Sequence, residues 1–239
     1  MSASAWLMLV ALALYVYDAA WLLGPQELVL VRARRGRWQP QLGIDGWRLR
    51  GREVFVPNLL MPWRAHVRAI WQAADGTRTG AAALPAGQVG AGIAIGACAI
   101  FLLMVLALPY ALFIRVDSAL ALLVMAAIYL ACMVTLALVW WQRQALGMSS
   151  REAAKLCFEC LTCPPFCINI VRKLSLREVV TWPLDAVTSL VSSDEHAHTA
   201  FDLQLASRIR YELSVEPEGS ARAASLARTL ASLKTGEPG

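Results

Sequence analysis

Three uninterrupted apolar stretches, residues 5–23, 89–114 and 119–141, punctuate the chain. Each reaches the ~20 residues an α-helix needs to cross a hydrocarbon core. They predict three transmembrane helices, and because only residues 115–118 separate the last two, those two must pack as an antiparallel hairpin. Between the first and second stretches the pattern shifts toward a period of two. Residues 27–34, 47–50, 53–57 and 63–72 read as short strands, and in the last of them Trp63, Ala65, Val67, Ala69 and Trp71 alternate with Arg64, His66 and Arg68. Such alternation aims one face at a core and the other at solvent. Arg35-Gly36-Arg37, Asp45-Gly46 and Arg50-Gly51-Arg52 supply the turns. A Gly-, Ala- and Thr-rich run, 75–87, reads as a linker back to the membrane.

Beyond residue 142 the period lengthens to that of a helix. Ser149 and Glu152 have the spacing of a capping box, opening a helix that Pro164-Pro165 must stop. Further amphipathic helices are expected near 184–191, 195–213 and 221–233, with a break at 216–219. The expected fold class is an α-helical integral membrane protein with three transmembrane helices (5–23, 87–114 and 119–141). A small cytoplasmic all-β module (24–86) and a helical cytoplasmic tail (142–239) complete it.

Composition agrees with a membrane protein: 58% of the 239 residues are hydrophobic, above the ~45–50% of soluble domains. The first stretch is expected to remain as an anchor, since nothing basic precedes it, it exceeds a signal core of ~7–15 residues, and Trp21-Leu22-Leu23 is a poor cleavage context. Of the 22 Lys and Arg residues, none precedes the first stretch, 10 follow it before the second, 1 lies in the tight connection and 11 follow the third. Basic residues stay on the cytoplasmic side during insertion. The predicted location is therefore a bacterial inner membrane, with the N-terminus and residues 115–118 outside and both large segments in the cytoplasm. All six cysteines then lie in the membrane or in a reducing compartment, which argues against a disulfide framework.

Within the helices, Gly92 and Gly96 form a small-xxx-small seam that admits another helix closely. A helix of the same chain is the expected occupant, with self-association or another membrane subunit as the alternative. Pro109 is expected to bend the second helix and Tyr110 to mark its outer interface. Asp18, the one ionisable residue well inside a predicted span, calls for a partner near the inner headgroups, and the arginines just beyond the helix are the expected ones.

All ten basic residues of the first polar segment are arginine. A solvated basic face with Arg32, Arg34, Arg35, Arg37, Arg64 and Arg68 turned toward anionic lipid is expected, with Trp38, Trp47, Trp63 and Trp71 placed to sit at an interface. Nucleic acid is not an expected partner, because no binding motif of that class is present.

Cys157, Cys160, Cys163 and Cys167 are spaced C-x2-C-x2-C-x3-C, which locally resembles the cluster-binding run of bacterial-type ferredoxins. The resemblance implies an iron–sulfur cluster, or a four-thiolate zinc site, as an alternative reading. Its departures are that Ile168 rather than Pro follows the fourth cysteine, that no second run exists, and that the stretch reads as a helix. Packing cysteines on an amphipathic helix are therefore expected, and no cofactor is favoured. His196 and His198 point to different sides of a helix and read as exposed first-turn residues. No Gly-rich phosphate loop, nucleophile elbow or HExxH occurs, and no catalytic residue is singled out. The expected function is non-enzymatic: an accessory, scaffold or assembly subunit positioning a partner at the membrane, with a membrane-anchored redox or metal protein as the alternative.

Overall fold

A computed structural model describes residues 3–32, 38–44, 46–72, 89–177, 179–188, 190–191, 195–217 and 219–234. The chain forms two compact units and alternates between them: Met1–Ala20, Pro57–Ala65 and Gly87–Leu176 build a helical unit, while Trp21–Val56, His66–Ala86 and Arg177–Gly239 build a sheet unit.

The helical unit contains α1 (Ala3–Ala19), α2 (Ala91–Leu102), α3 (Ser118–Gln142), α4 (Ser150–Thr162), α5 (Pro164–Ile168) and α6 (Ile170–Ser175). Two π-helical segments, Leu103–Ala107 and Tyr110–Ile114, extend α2 on either side of Pro109. A proline cannot donate the i→i−4 bond and crowds the preceding turn, and widened turns beside it absorb that defect. Two helices, Ala91–Ile114 and Ser118–Gln142, are long and apolar enough to cross a membrane. The first apolar stretch divides instead: α1 has 17 residues, and Trp21–Leu23 is a strand. Among the described residues there are thus two helices of spanning length and a shorter apolar one, where the sequence predicts three spans.

The connection between α2 and α3 is tight. Val116 adopts φ 51° and Asp117 caps α3, its carboxylate accepting from the amides of Ala119 at 2.9 Å and Leu120 at 3.2 Å. The glycine seam then meets α3 of the same chain. A Cβ on Gly96 would lie 2.1 Å from Thr135 Oγ1, and one on Gly92 would lie 3.1 Å from Leu138 Cδ1. Only a hydrogen fits at 96, so the seam is occupied by α3, a helix of the same chain.

α4 opens with the expected capping box, since Ser149 Oγ accepts from the Glu152 amide while Glu152 Oε2 accepts from the Ser149 amide. It does not stand apart as a tail helix. Ala153, Leu156, Cys157 and Cys160, at i, i+3, i+4 and i+7, join the apolar core of the helical unit. After the Cys163 break, the short α5 packs against α1, α2, α3 and α4 together.

The sheet unit has strands β1 (Trp21–Leu23), β2 (Glu27–Arg32), β3 (Trp38–Gln41), β4 (Arg48–Leu49), β5 (Arg52–Phe55), β6 (His66–Gln72) and β7 (Val179–Pro183), with helices α7 (Leu184–Thr188), α8 (Glu195–Val215) and α9 (Ala221–Lys234). One sheet runs β1-β5-β4 and the other β3-β2-β6-β7. All pairings are antiparallel except β6–β7, which is parallel in the register Ala69↔Val180 and Trp71↔Trp182. Leu28, Leu30, Val67, Ala69 and Trp71 meet Trp182 and the α8 stripe Phe201, Leu205 and Ile209, with Leu226 of α9.

Two domain expectations change here. Among the described residues of 24–86, 57–65 belong to the helical unit, and β6 pairs with β7 from residues 179–183. Likewise, 142–239 is not one helical tail, because its first part builds the helical unit and its remainder supplies β7, α7, α8 and α9 to the sheet unit. The physical reason is burial, since β6 exposes Val67, Ala69 and Trp71 unless the β7–α8 segment covers them. The expected linker, 75–87, lies outside the described residues.

Candidate functional site

The most densely connected polar group in the helical unit is built where α1, the 57–65 segment, α5 and α6 converge. α1 brings Tyr15 and Asp18, three residues apart and therefore on neighbouring faces of one turn. The end of α5 brings Asn169, whose φ −85° and ψ 8° break the helix and free its side chain from the helical row. One turn of α6 brings Arg172 and Lys173.

Asn169 Nδ2 donates to the Tyr15 carbonyl and to Asp18 Oδ2, each at 3.1 Å. Its Oδ1 accepts from Arg172 Nη1 at 2.7 Å. Arg172 Nη2 donates to the Asn58 carbonyl at 2.5 Å, and the Tyr15 hydroxyl donates to the Leu59 carbonyl at 2.5 Å. Lys173 Nζ lies 2.7 Å from Asp18 Oδ1 and 4.7 Å from the Phe166 ring centroid. Arg172 is 1% exposed, yet its Nε has no hydrogen-bond partner among the described residues. Burial pulls its pKa below the usual arginine range, and the charge and hydrogen bonding of Tyr15 and the charge of Asp18 oppose that shift.

Such a group holds chain segments together. Asp18 is neutralised by Lys173 and hydrogen-bonded by Asn169, while Arg172 fixes a carbonyl of the 57–65 segment. The need of Asp18 for a partner is legible in the sequence, but the partner is Lys173 of α6 rather than an arginine just beyond α1, because it comes from a distant segment of the chain. Asn169, Arg172, Tyr15 and Asn58 carried no sequence signal as a group.

The cysteine run spans α4, the break at Cys163 and α5. Cys160 and Cys167 are buried, whereas Cys157 and Cys163 are half-buried, and all are free thiols. The nearest thiols to Cys167 are Cys160 and, from α3, Cys132, which sequence reasoning did not single out. Their hydrogen bonds and then burial push the Cys167 thiol far up. Burial likewise raises Cys157 and Cys163. Among the described residues no group of three or more His, Cys, Asp or Glu side chains is arranged to hold a metal ion.

In the sheet unit, the basic residues divide between internal and surface roles. Arg208 of α8 is 1% exposed. Its Nε donates to Glu53 Oε2 at 2.7 Å, its Nη2 also pairs with Glu53, and its Nη1 donates to the Glu27 carbonyl at 2.5 Å. Burial lowers its pKa, opposed first by the Glu53 hydrogen bond and charge. Arg68 pairs with Glu27, so its guanidinium is committed inside the unit rather than free for lipid. Arg32 is exposed, while Arg64 is half-buried and belongs to the helical unit. Arg34, Arg35 and Arg37 lie outside the described residues. Of the four tryptophans expected at an interface, Trp71 is fully buried and Trp38 packs against the core, whereas Trp47 is 65% exposed and Trp63 is 37% exposed and edge-on to Phe101. His198 is within 3.0 Å of Asp202 one turn on, and the His196 side chain lies outside what is described.

No protein-family model, no curated protein and no solved structure matches this chain.

Proposed function

We propose that the chain is a polytopic protein of a bacterial cytoplasmic membrane, crossing it with Ala91–Ile114 and Ser118–Gln142 and with α1 as a third, shorter crossing. In this reading the N-terminus and residues 115–118 face outward and the sheet unit faces the cytoplasm. The protein works there as a non-enzymatic accessory, scaffold or assembly subunit that positions a partner protein at the membrane.

The observation that carries the reading is the outward surface of the hairpin. Ile95, Leu106, Leu122, Leu123 and Leu130 are each between 58% and 73% exposed on helices of spanning length, and lipid accommodates exposed apolar side chains on such helices better than water does. The distribution of basic residues supplies the orientation. The buried polar junction supports a structural role, since its groups bond one another across α1, 57–65 and α6.

The test is native mass spectrometry of the full chain extracted from its own host membrane in lipid nanodiscs. The proposal expects a defined complex with at least one other protein. A chain recovered alone from intact membranes would contradict the scaffold role.

A further inference from the structure

The β4–β5 hairpin differs from the rest of the sheet unit in what its two faces carry. Leu49 is paired with Arg52 and Arg48 with Glu53, and Val54 N donates to the Trp47 carbonyl at 2.9 Å, continuing the same register. Alternation therefore puts Trp47, Leu49 and Arg52 on one face and Arg48 and Glu53 on the other. The second face is committed: Glu53 binds Arg208, and Arg48 bonds Glu53 at 3.4 Å while its guanidinium lies 4.5 Å from the Tyr211 ring centroid. Both aromatic and cationic contacts run to α8, so the first face is turned away from it.

That first face is uncovered. Trp47 is 65% exposed and Leu49 is 55% exposed, and Arg50 and Arg52 are exposed with no acidic partner among the described residues. Arg50 at φ 52° and Gly51 at φ 77° close a two-residue turn, whose twist matches that of the strands and holds the tip stiff. From Gly46 to Arg52 the chain has three arginines and no acid.

We propose that this tip, Trp47–Arg52, is a lipid-contact element that seats on a bilayer surface of anionic glycerophospholipid, with Trp47 and Leu49 entering the headgroup region and Arg50 and Arg52 binding phosphate. The inference rests on the membrane reading above and adds the residues that meet lipid outside the spanning helices. Charge complementarity and the pairing of an indole with guanidinium groups fit a headgroup layer. Two apolar side chains on a short tip fall well below the ~800 Å² per partner that a stable protein interface needs. A lipid surface requires no such area here, because β1 begins two residues after α1 ends and the tether holds the tip at high local concentration.

The experiment places the photo-cross-linker p-benzoylphenylalanine at position 49, 130 or 203 of the full chain, reconstituted in nanodiscs of phosphatidylcholine with or without phosphatidylglycerol. Lipid adducts are read by mass spectrometry. The expected result is strong adduct formation at 49 with phosphatidylglycerol, weaker without it, and falling by about fivefold for each of Arg50→Ser and Arg52→Ser at unchanged thermal stability. Yield at 49 no greater than at Leu203, an exposed apolar residue of α8, or indifference to phosphatidylglycerol, would overturn the proposal. So would adducts from 49 to protein, whether a second copy or another chain. Position 130 separates the two readings: absence of acyl-chain adducts there defeats the membrane reading itself, whereas adducts at 130 without adducts at 49 defeat this inference alone.

Discussion

Lys173 and Asp18 form an ion pair of 2.7 Å inside an apolar helical bundle, with side chains 18% and 11% exposed. A pair so placed is costly to break from one side, because the remaining charge keeps little access to water, whereas removing both charges together is far cheaper.

Asp18→Ala and Lys173→Met are each expected to destabilise the detergent-solubilised full chain by about 3–5 kcal/mol. The double variant should cost clearly less than the sum. Thermal denaturation of the four proteins measures the coupling, and simple additivity would mean that the pair does not hold α1 to α6.

The glycine seam makes a second prediction. Gly96→Ala drives a methyl group to 2.1 Å from Thr135 Oγ1, an overpacking expected to cost about 1–3 kcal/mol. Thr135→Ala removes the clashing oxygen and should recover part of that loss in the double variant. A neutral Gly96→Ala would show that α3 does not occupy the seam.

These two relationships differ in how visible they were beforehand. The Gly92–Gly96 spacing calls for a helix of the same chain without saying which, and the structure places α3 there. The capping box at Ser149 and the turn at Arg50-Gly51 were equally local and equally legible. The first apolar stretch was misjudged at its end, because Trp21, Leu22 and Leu23 suit a strand as well as a helix, and their antiparallel pairing with Glu53, Val54 and Phe55 decides the matter. The joining of β7 to β6 and the meeting of Asn169 and Arg172 with α1 depend on contacts between distant segments, which periodicity does not encode. Arg68 was placed on the lipid-facing surface because alternation gives the face of a residue but not its partner, Glu27.

Removal of the tail tests the joint construction of the sheet unit. A chain ending at Leu176 lacks β7 and α8, leaving Leu28, Leu30, Val67, Ala69 and Trp71 uncovered. Limited proteolysis should then digest residues 24–56 and 66–72 while sparing the helical unit, 57–65 included. A protease-resistant fragment spanning 24–72 would instead show an independent β module.

The thiols give a pH-dependent prediction. The Cys157, Cys163 and Cys167 thiols all lie above their ordinary 9.0, so they are protonated and unreactive at neutral pH. Alkylation of the folded chain at pH 8 should be slow at these positions and fast after denaturation. Because raised folded values favour the protonated native state, their contribution to stability is present below about pH 9 and is lost as the pH climbs beyond it. Anaerobically purified chain should hold no stoichiometric iron or zinc. Stoichiometric metal that disappears in Cys160→Ser would establish the cluster or zinc reading of the cysteine run.

In the proposed topology Ala91–Ile114 and Ser118–Gln142 cross a membrane as a hairpin, with the sheet unit on the cytoplasmic side. Labelling with a membrane-impermeant maleimide distinguishes the two sides, using Val116→Cys in the tight connection and Leu203→Cys on α8, with the parent chain as background. Position 116 is expected to label in intact spheroplasts and position 203 only after permeabilisation. Labelling at 203 in intact spheroplasts, or recovery of the chain in the soluble fraction, would contradict it.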